Sequence, residues 1–280
     1  ILTFNQMVLE IIIHPTKATG KPWEMFFIGL IYSFVGVALG YGVFRSYVSI
    51  VMVSFTAIAA IPFIHKALKA EEEEEGKQND KSLLQKHWRI VSMFTFLFIG
   101  YVVTFLSLFV LLPEHVVSEI FQAQVGAITE VRNSITGNFL AGFKDFGIIF
   151  LNNIKVLVLC VVFSLLYGAG AVFIFSWNAS VMGAAIGEAI RDGIRNNTST
   201  TLHIISSSLA GYFVHGIPEM IAYFIAGIAG GILSMTMVKE GIWSVKFKKA
   251  REDSFNLIGF AIIMLFLAAL VEVFISPTLL

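Results

Sequence analysis

Charged residues are scarce in this chain. They make up 14% of its 280 residues, whereas hydrophobic residues make up 57%, and soluble domains carry charge on about a quarter of their residues. The 19 basic and 19 acidic residues also balance, so the chain lacks the basic excess of nucleic-acid-binding domains. The composition argues against a soluble protein and against a nucleic-acid partner, and it predicts a membrane protein with several spans.

Cysteine is nearly absent as well. Cys160 is the single cysteine, so a disulfide within the chain is impossible, and its apolar surroundings favour a small buried hydrophobe. The sequence also lacks a His-Glu-x-x-His pattern, a phosphate-binding glycine loop, and a serine or cysteine paired with a base in the spans. We therefore expect no catalytic residue, no metal and no cofactor.

Long apolar runs alternate with short charged segments along the chain. Because about 20 apolar residues suffice for a helix to cross the hydrocarbon layer, the pattern predicts an all-α, polytopic membrane protein with about seven spans. The expected spans are residues 23–44, 47–64, 90–112, 146–167, 172–190, 203–238 and 257–275.

The segments between the spans differ in character. Residues 66–89 form an acidic loop whose five consecutive glutamates, 71–75, predict a solvated helix extension or a flexible tether. Residues 116–143 carry apolar side chains at helical spacing and predict an amphipathic helix. Residues 1–13 are too short to span, so we expect them along the membrane surface. Three regions follow: an amino-terminal membrane region (1–112), a connector (113–143) and a carboxyl-terminal membrane domain (144–280).

The distribution of lysine and arginine predicts the orientation. Short cytoplasmic loops carry an excess of these residues, and the strongest basic cluster, residues 239–251, lies between the last two spans. Counting spans backward places residues 66–89 inside and residues 116–143 and 191–201 outside. We expect a multi-pass protein of the cell membrane with a cytoplasmic amino terminus.

A helix break is predicted between His215 and Glu219. Pro218 lacks an amide hydrogen and disfavours helical geometry at the residue before it, while Gly216 permits unusual backbone angles. We expect two half-helices, with Glu219 in the first turn of the second one, at or inside one edge of the hydrocarbon. The small residues that follow predict close helix packing; they are Ala222, Ala226, Ala229 and Gly230.

A buried polar cluster is expected beside this break. Asn152, Asn153 and Lys155 lie in the first turns of the fourth span, and a lysine in lipid needs to reach the membrane surface or find a carboxylate. We predict that these three residues, His215 and Glu219 form one cluster, with Lys155 and Glu219 as its strongest pair. The alternatives are a packing kink in which backbone groups satisfy Glu219, and a zinc or general-base site, against which Pro218 argues.

These motifs together resemble a known family. Phe150-x-Asn152-Asn153-x-Lys155, then Gly168 and Gly170, residues 178–187, and His215-Gly216-Ile217-Pro218-Glu219 are similar to the stage II sporulation protein M family of integral membrane proteins, over residues 143–240.

The resemblance implies a membrane scaffold that anchors or recruits partners for membrane or cell-envelope remodelling. Its partners would be the lipid bilayer and other membrane or envelope proteins, and homo-oligomerisation is left open. A transporter or channel with a polar site at the broken helix is a second interpretation, and an intramembrane hydrolase is a third.

Overall fold

The computed structural model of the chain describes residues 21–75, 83–134, 142–167, 170–196 and 200–276. Within these ranges the backbone is helical, with short turns and no strand. The predicted surface stretch, residues 1–13, and residues 135–141 of the predicted amphipathic segment lie outside them. The helices are α1 (Glu24–Val43), α2 (Val48–Glu75), α3 (Leu83–Leu111), α4 (Glu114–Ile120), α5 (Gln122–Ser134), α6 (Gly142–Tyr167), α7 (Ala171–Arg195), α8 (Thr201–Glu240) and α9 (Val245–Phe274).

Seven of these helices are long and apolar enough to cross a membrane: α1, α2, α3 and α6 to α9. Their outward faces carry large apolar side chains, such as Phe34, Leu151 and Phe255. A surface of this kind is unfavourable in water and suits contact with lipid chains. The predicted all-α class and the number of spans are confirmed, and the chain is a multi-pass membrane protein.

Helix α8 differs from the prediction. It is a single helix of 40 residues that continues through Gly216 and Pro218, so the predicted break is wrong. Unwound backbone in an apolar interior would lose several hydrogen bonds, whereas a proline inside a helix removes only one. Gly216 is a buried position of the continuous helix, where an added Cβ atom would meet the terminal methyl group of Met182 on α7.

Glycines set how closely the other helices approach. Helix α1 crosses α3 at Gly29 and Gly100, where a Cβ atom on either residue would overlap the backbone of the opposite helix. Helix α7 packs on α3 in the same way, with Gly183 against Phe105 and Gly187 against Phe109. In lipid, such small residues allow the backbone contact that holds helices together.

Helix α8 lies at the centre of the carboxyl-terminal half, where it packs against α6, α7 and α9. The predicted small-residue face is buried, and Gly230 meets the Val161 carbonyl of α6. Helix α7 also packs on α2 and α3, so it joins this group to the amino-terminal helices.

The connector forms two short helices, α4 and α5, rather than one. Their apolar side chains face the bundle, since Val117, Ile120 and Phe121 are buried, which confirms the amphipathic pattern. Gln124 is fully buried and donates to the Ser49 carbonyl at 3.0 Å and to Ser180 Oγ at 3.1 Å. The connector is thereby fastened to α2 and α7.

The run of glutamates is helical. Helix α2 continues past the apolar span, which ends at Ile64, through Glu75. Residues 65–75 extend it by about 16 Å at the usual rise per residue. Of the two interpretations of this run, the helix extension is the one that the structure supports.

Candidate functional site

Three spans each contribute one polar side chain to a single contact. Asn153 of α6 donates its Nδ2 to Oε1 of Glu219 on α8 at 2.5 Å. The carboxyl group of Glu272 on α9 lies beside that of Glu219 and interacts with it electrostatically. We call Asn153, Glu219 and Glu272 the carboxyl cluster.

The turn between α8 and α9 brings the two glutamates together. Gly241 has φ = 79°, a left-handed conformation that favours glycine, and Ser244 caps α9 by accepting a hydrogen bond from the amide of Phe247. Between this turn and the glutamates, Ser254 Oγ of α9 donates to the Ala229 carbonyl of α8 at 3.1 Å. The register of this antiparallel pair sets Glu272 beside Glu219.

A second polar contact lies one helical turn away. His215 Nδ1 is 2.8 Å from Ser276 Oγ. His215 precedes Glu219 by four residues on α8, and Ser276 follows Glu272 by four residues, just past the end of α9. The two polar pairs therefore lie one turn apart along the same face of α8.

The carboxyl cluster lies well away from one end of the bundle. Gly216 packs against Met182 of α7, and Arg191, further along α7, hydrogen bonds to the carbonyls of Val110 and Leu112 at the end of α3. From Arg191 to the level of Glu219 is about 18 Å at 1.5 Å per residue. The hydrocarbon core of a bilayer is about 30 Å thick, so Glu219 lies far from the end of the bundle marked by Arg191.

The composition of the cluster determines its chemistry. An ionised carboxylate only accepts hydrogen bonds, so two carboxyl groups bond to each other only when one carries a proton. Two like charges in contact are also strongly disfavoured in a low-dielectric interior. Glu219 and Glu272 can therefore hold one proton between them, and the Asn153 amide supplies a further donor to Glu219.

The structure separates the predicted site residues. Asn152 and Lys155 are exposed on the outer face of α6, whereas Asn153 is buried. At about 100° per residue, Lys155 points roughly 200° away from Asn153. The predicted pair of Lys155 and Glu219 is therefore wrong, and Asn153 and Glu272 satisfy Glu219 instead.

His215 bonds to Ser276 rather than to Glu219. Of the five residues that we expected in one cluster, the structure thus joins only Asn153 and Glu219 directly, with His215 one turn away. Gly216 and Pro218 lie beside them within the continuous α8.

Glu272 is the site residue that the sequence interpretation missed. It is the one ionisable residue among residues 257–275, and an ionisable residue inside an apolar span is by default a candidate for function. That signal marks the residue but does not identify its partner, because the partner depends on the register of α8 and α9.

Metal binding finds no support in the described ranges, which hold no group of three or more His, Cys, Asp or Glu side chains suited to a metal. An open groove of about 430 Å³ lies elsewhere, between α1 and α3. Its lining is almost wholly apolar, with Leu30, Phe34 and Val103 among the residues, so this groove suits lipid chains and lies apart from the carboxyl cluster.

Comparison with known proteins gives one match. The family model described as Stage II sporulation protein M matches residues 25–277, whereas no curated protein and no solved structure matches the chain. The matched region runs from α1 past the end of α9. It contains all seven spans and the whole carboxyl cluster, and it is much longer than residues 143–240, which carry the motifs.

Proposed function

Because the chain belongs to the stage II sporulation protein M family of membrane proteins, we propose that it is a scaffold that anchors or recruits partner proteins for membrane or envelope remodelling. The observation that carries this proposal is the set of contacts that Glu219 makes with neighbouring spans. Helix α8 is continuous there, and Glu219 accepts a hydrogen bond from Asn153 of α6 and interacts with Glu272 of α9. Such contacts hold spans together, as a rigid scaffold requires.

We assign the contact with partners to the helical extension of α2. It continues the helix past the apolar segment and ends in the glutamates 71–75. A run of like charges cannot pack into a core and stays in water, where it is available to a basic partner. In this proposal the partners are membrane or envelope proteins, and the protein carries out no reaction and uses no cofactor.

The orientation belongs to the same proposal. The basic residues 239–251 on the α8–α9 turn favour a cytoplasmic position for that turn. With seven spans, the extension of α2 faces the same side, and the amino terminus is cytoplasmic. The scaffold would then present its acidic surface to the cytoplasm.

Site-specific photo-crosslinking tests the scaffold. A photoreactive amino acid at Glu73 should give discrete crosslinked products with other proteins in native membranes. The same amino acid at Gly259 is the matched control, because Gly259 lies on α9 with open space beside it and should react mainly with lipid. Products that are identical at both positions, or absent at Glu73, would contradict the proposal.

Proton-coupled transport is the second candidate, and one observation favours it. Glu219 and Glu272 can share a proton inside the membrane, and proton relays in pumps and transporters are built from such acids. The continuity of α8 argues against it, because many transporters bind their substrates at the ends of interrupted helices. A flux measurement separates the two candidates.

A further inference from the structure

Lys155 lies on the lipid-facing side of α6 near the middle of a span. The apolar part of this helix is Phe143–Leu166, so Lys155 is about 17 Å from either end at 1.5 Å per residue. Lysines near the ends of a span reach the membrane surface with their side chains. Lys155 is too far from both ends for this, and a charge exposed to lipid at this depth is costly.

The surroundings of Lys155 form a stripe along α6. Asn152 is exposed one turn before it, and Leu159 and Val162 are exposed in the turns after it. These positions recur at helical spacing, so they share one face. Neither Lys155 nor Asn152 makes a hydrogen bond or ion pair with another residue in the part of the chain that the structure describes. Two polar groups thus face the lipid within an apolar stripe.

We propose that this stripe, Asn152, Lys155, Leu159 and Val162, is the docking site for a membrane-spanning helix of a partner protein that carries an aspartate or glutamate at mid-membrane. The inference rests on the scaffold function. A carboxylate opposite Lys155 would compensate its charge, the Asn152 amide could donate to the same carboxylate, and the apolar residues would pack against the partner helix.

A second copy of this chain does not offer the required carboxylate. Among the described residues, Glu219 and Glu272 are engaged with each other and with Asn153. The other acids within the α6 and α7 spans are Asp145, Glu188 and Asp192. Asp145 and Glu188 have partners of their own, and Asp192 lies three residues from the end of the α7 span, Ala171–Arg195, away from the middle of the membrane. The charge complementarity therefore points to a different protein.

Binding to synthetic helices tests the docking site. Full-length protein is reconstituted in phosphatidylcholine liposomes with a labelled leucine-rich membrane helix whose central residue is glutamate, glutamine or leucine. Energy transfer should show that the glutamate helix binds about three- to thirtyfold more tightly than the leucine helix, the range expected for polar contacts between membrane helices.

Variants of Lys155 make this test specific. Lys155→Met should remove the preference for the glutamate helix, and Lys155→Glu should transfer it to a helix with a central lysine. These substitutions change a lipid-facing residue, so the fold should persist, which thermal unfolding checks. Lys246→Met is the control, because it removes a surface cation paired with Glu240 at 2.6 Å and should leave helix binding unchanged.

Three outcomes would overturn the docking site: equal binding of all three helices, an unchanged preference in Lys155→Met, or self-association of the wild type that Lys155→Met abolishes. The last would identify a second copy as the occupant. The assay contains no native partner, so its failure is distinct from failure of the scaffold, which the crosslinking at Glu73 tests separately.

Discussion

Asn153 and Glu219 are joined by a hydrogen bond across the interface between α6 and α8, while Asn152, the next residue along the chain, faces the lipid. Two identical side chains at adjacent positions therefore have different environments. One satisfies a carboxyl group inside the bundle, and the other is free for a contact outside it. Substitutions of Asn152 and of Asn153 therefore form a matched pair, because only the second removes the hydrogen bond to Glu219.

Replacement of Asn153 should destabilise the protein. Asn153→Leu removes the donor to Glu219 and leaves a partly buried carboxyl group short of one hydrogen bond, which costs about 1–3 kcal/mol. Asn152→Leu should be neutral or slightly stabilising, because it removes a polar group from the lipid-facing surface. Thermal unfolding in one detergent compares the two, and equal losses would show that the bond to Glu219 has no special role.

The sequence was sufficient to predict the spans, but it was not sufficient to predict which residues of α6 contact α8. Apolar runs of about 20 residues identify membrane helices because the bilayer has a fixed thickness. The polar positions 152, 153 and 155 lie on opposite sides of a helix, and the sequence does not say which side faces α8. The prediction that Lys155 pairs with Glu219 assumed that opposite charges meet. The register of α8 and α9 instead places Glu272 beside Glu219.

Pro218 shows a second limit of the sequence. Its local preference favours a break, and that preference would prevail in a helix exposed to water. Inside a membrane bundle the unwound backbone would have no hydrogen-bond partners, so the helix continues. The family membership was recognisable from residues 143–240, although the match includes the amino-terminal spans as well.

The crossing of α1 and α3 should be intolerant of added volume. Gly100→Ala places a methyl group against the backbone of Phe26 and Gly29, and overpacking of this kind costs about 1–3 kcal/mol. Gly259→Ala is the control, since nothing lies within 4 Å of its added Cβ atom. Thermal unfolding should distinguish the two variants, and an unchanged melting temperature for Gly100→Ala would contradict the close crossing.

The contact between Arg45 and Glu119 should respond to acid. Arg45 donates to Glu119 at 2.7 Å, and this hydrogen bond lowers the pKa of Glu119 below its usual value of 4.5. A lowered pKa in the folded state means that the contact contributes stability above about pH 4.5 and loses it as the pH falls through the lower value.

Spin labels at the exposed positions Tyr47 and Ser118 can follow this contact between the α1–α2 turn and α4. The distance distribution should be narrow at neutral pH and broaden only below pH 4.5, as the folded-state carboxyl of Glu119 binds a proton at its lowered pKa. Glu119→Gln should be broad at every pH. A transition near neutral pH would indicate that another group controls the contact.

Accessibility of introduced cysteines should report the orientation. Asn196 and Lys248 are both exposed. Asn196 precedes α8 and Lys248 follows it, so the two residues flank opposite ends of this span. A cysteine at Asn196 should react with an impermeant maleimide in intact cells, and one at Lys248 only after lysis. Cys160 is buried, so the parent protein serves as the control. The reverse labelling would invert the proposed topology.

The central claim is that the carboxyl cluster holds helices together and does not carry a solute. A measurement of proton flux through reconstituted liposomes tests it most directly. Wild-type protein, Glu219→Gln and Glu272→Gln are compared under an imposed proton gradient with a pH-sensitive dye inside. The account predicts that all three show the same slow leak as liposomes without protein, while Glu219→Gln has altered thermal stability. A saturable proton flux in the wild type that either substitution abolishes would contradict the scaffold and establish transport.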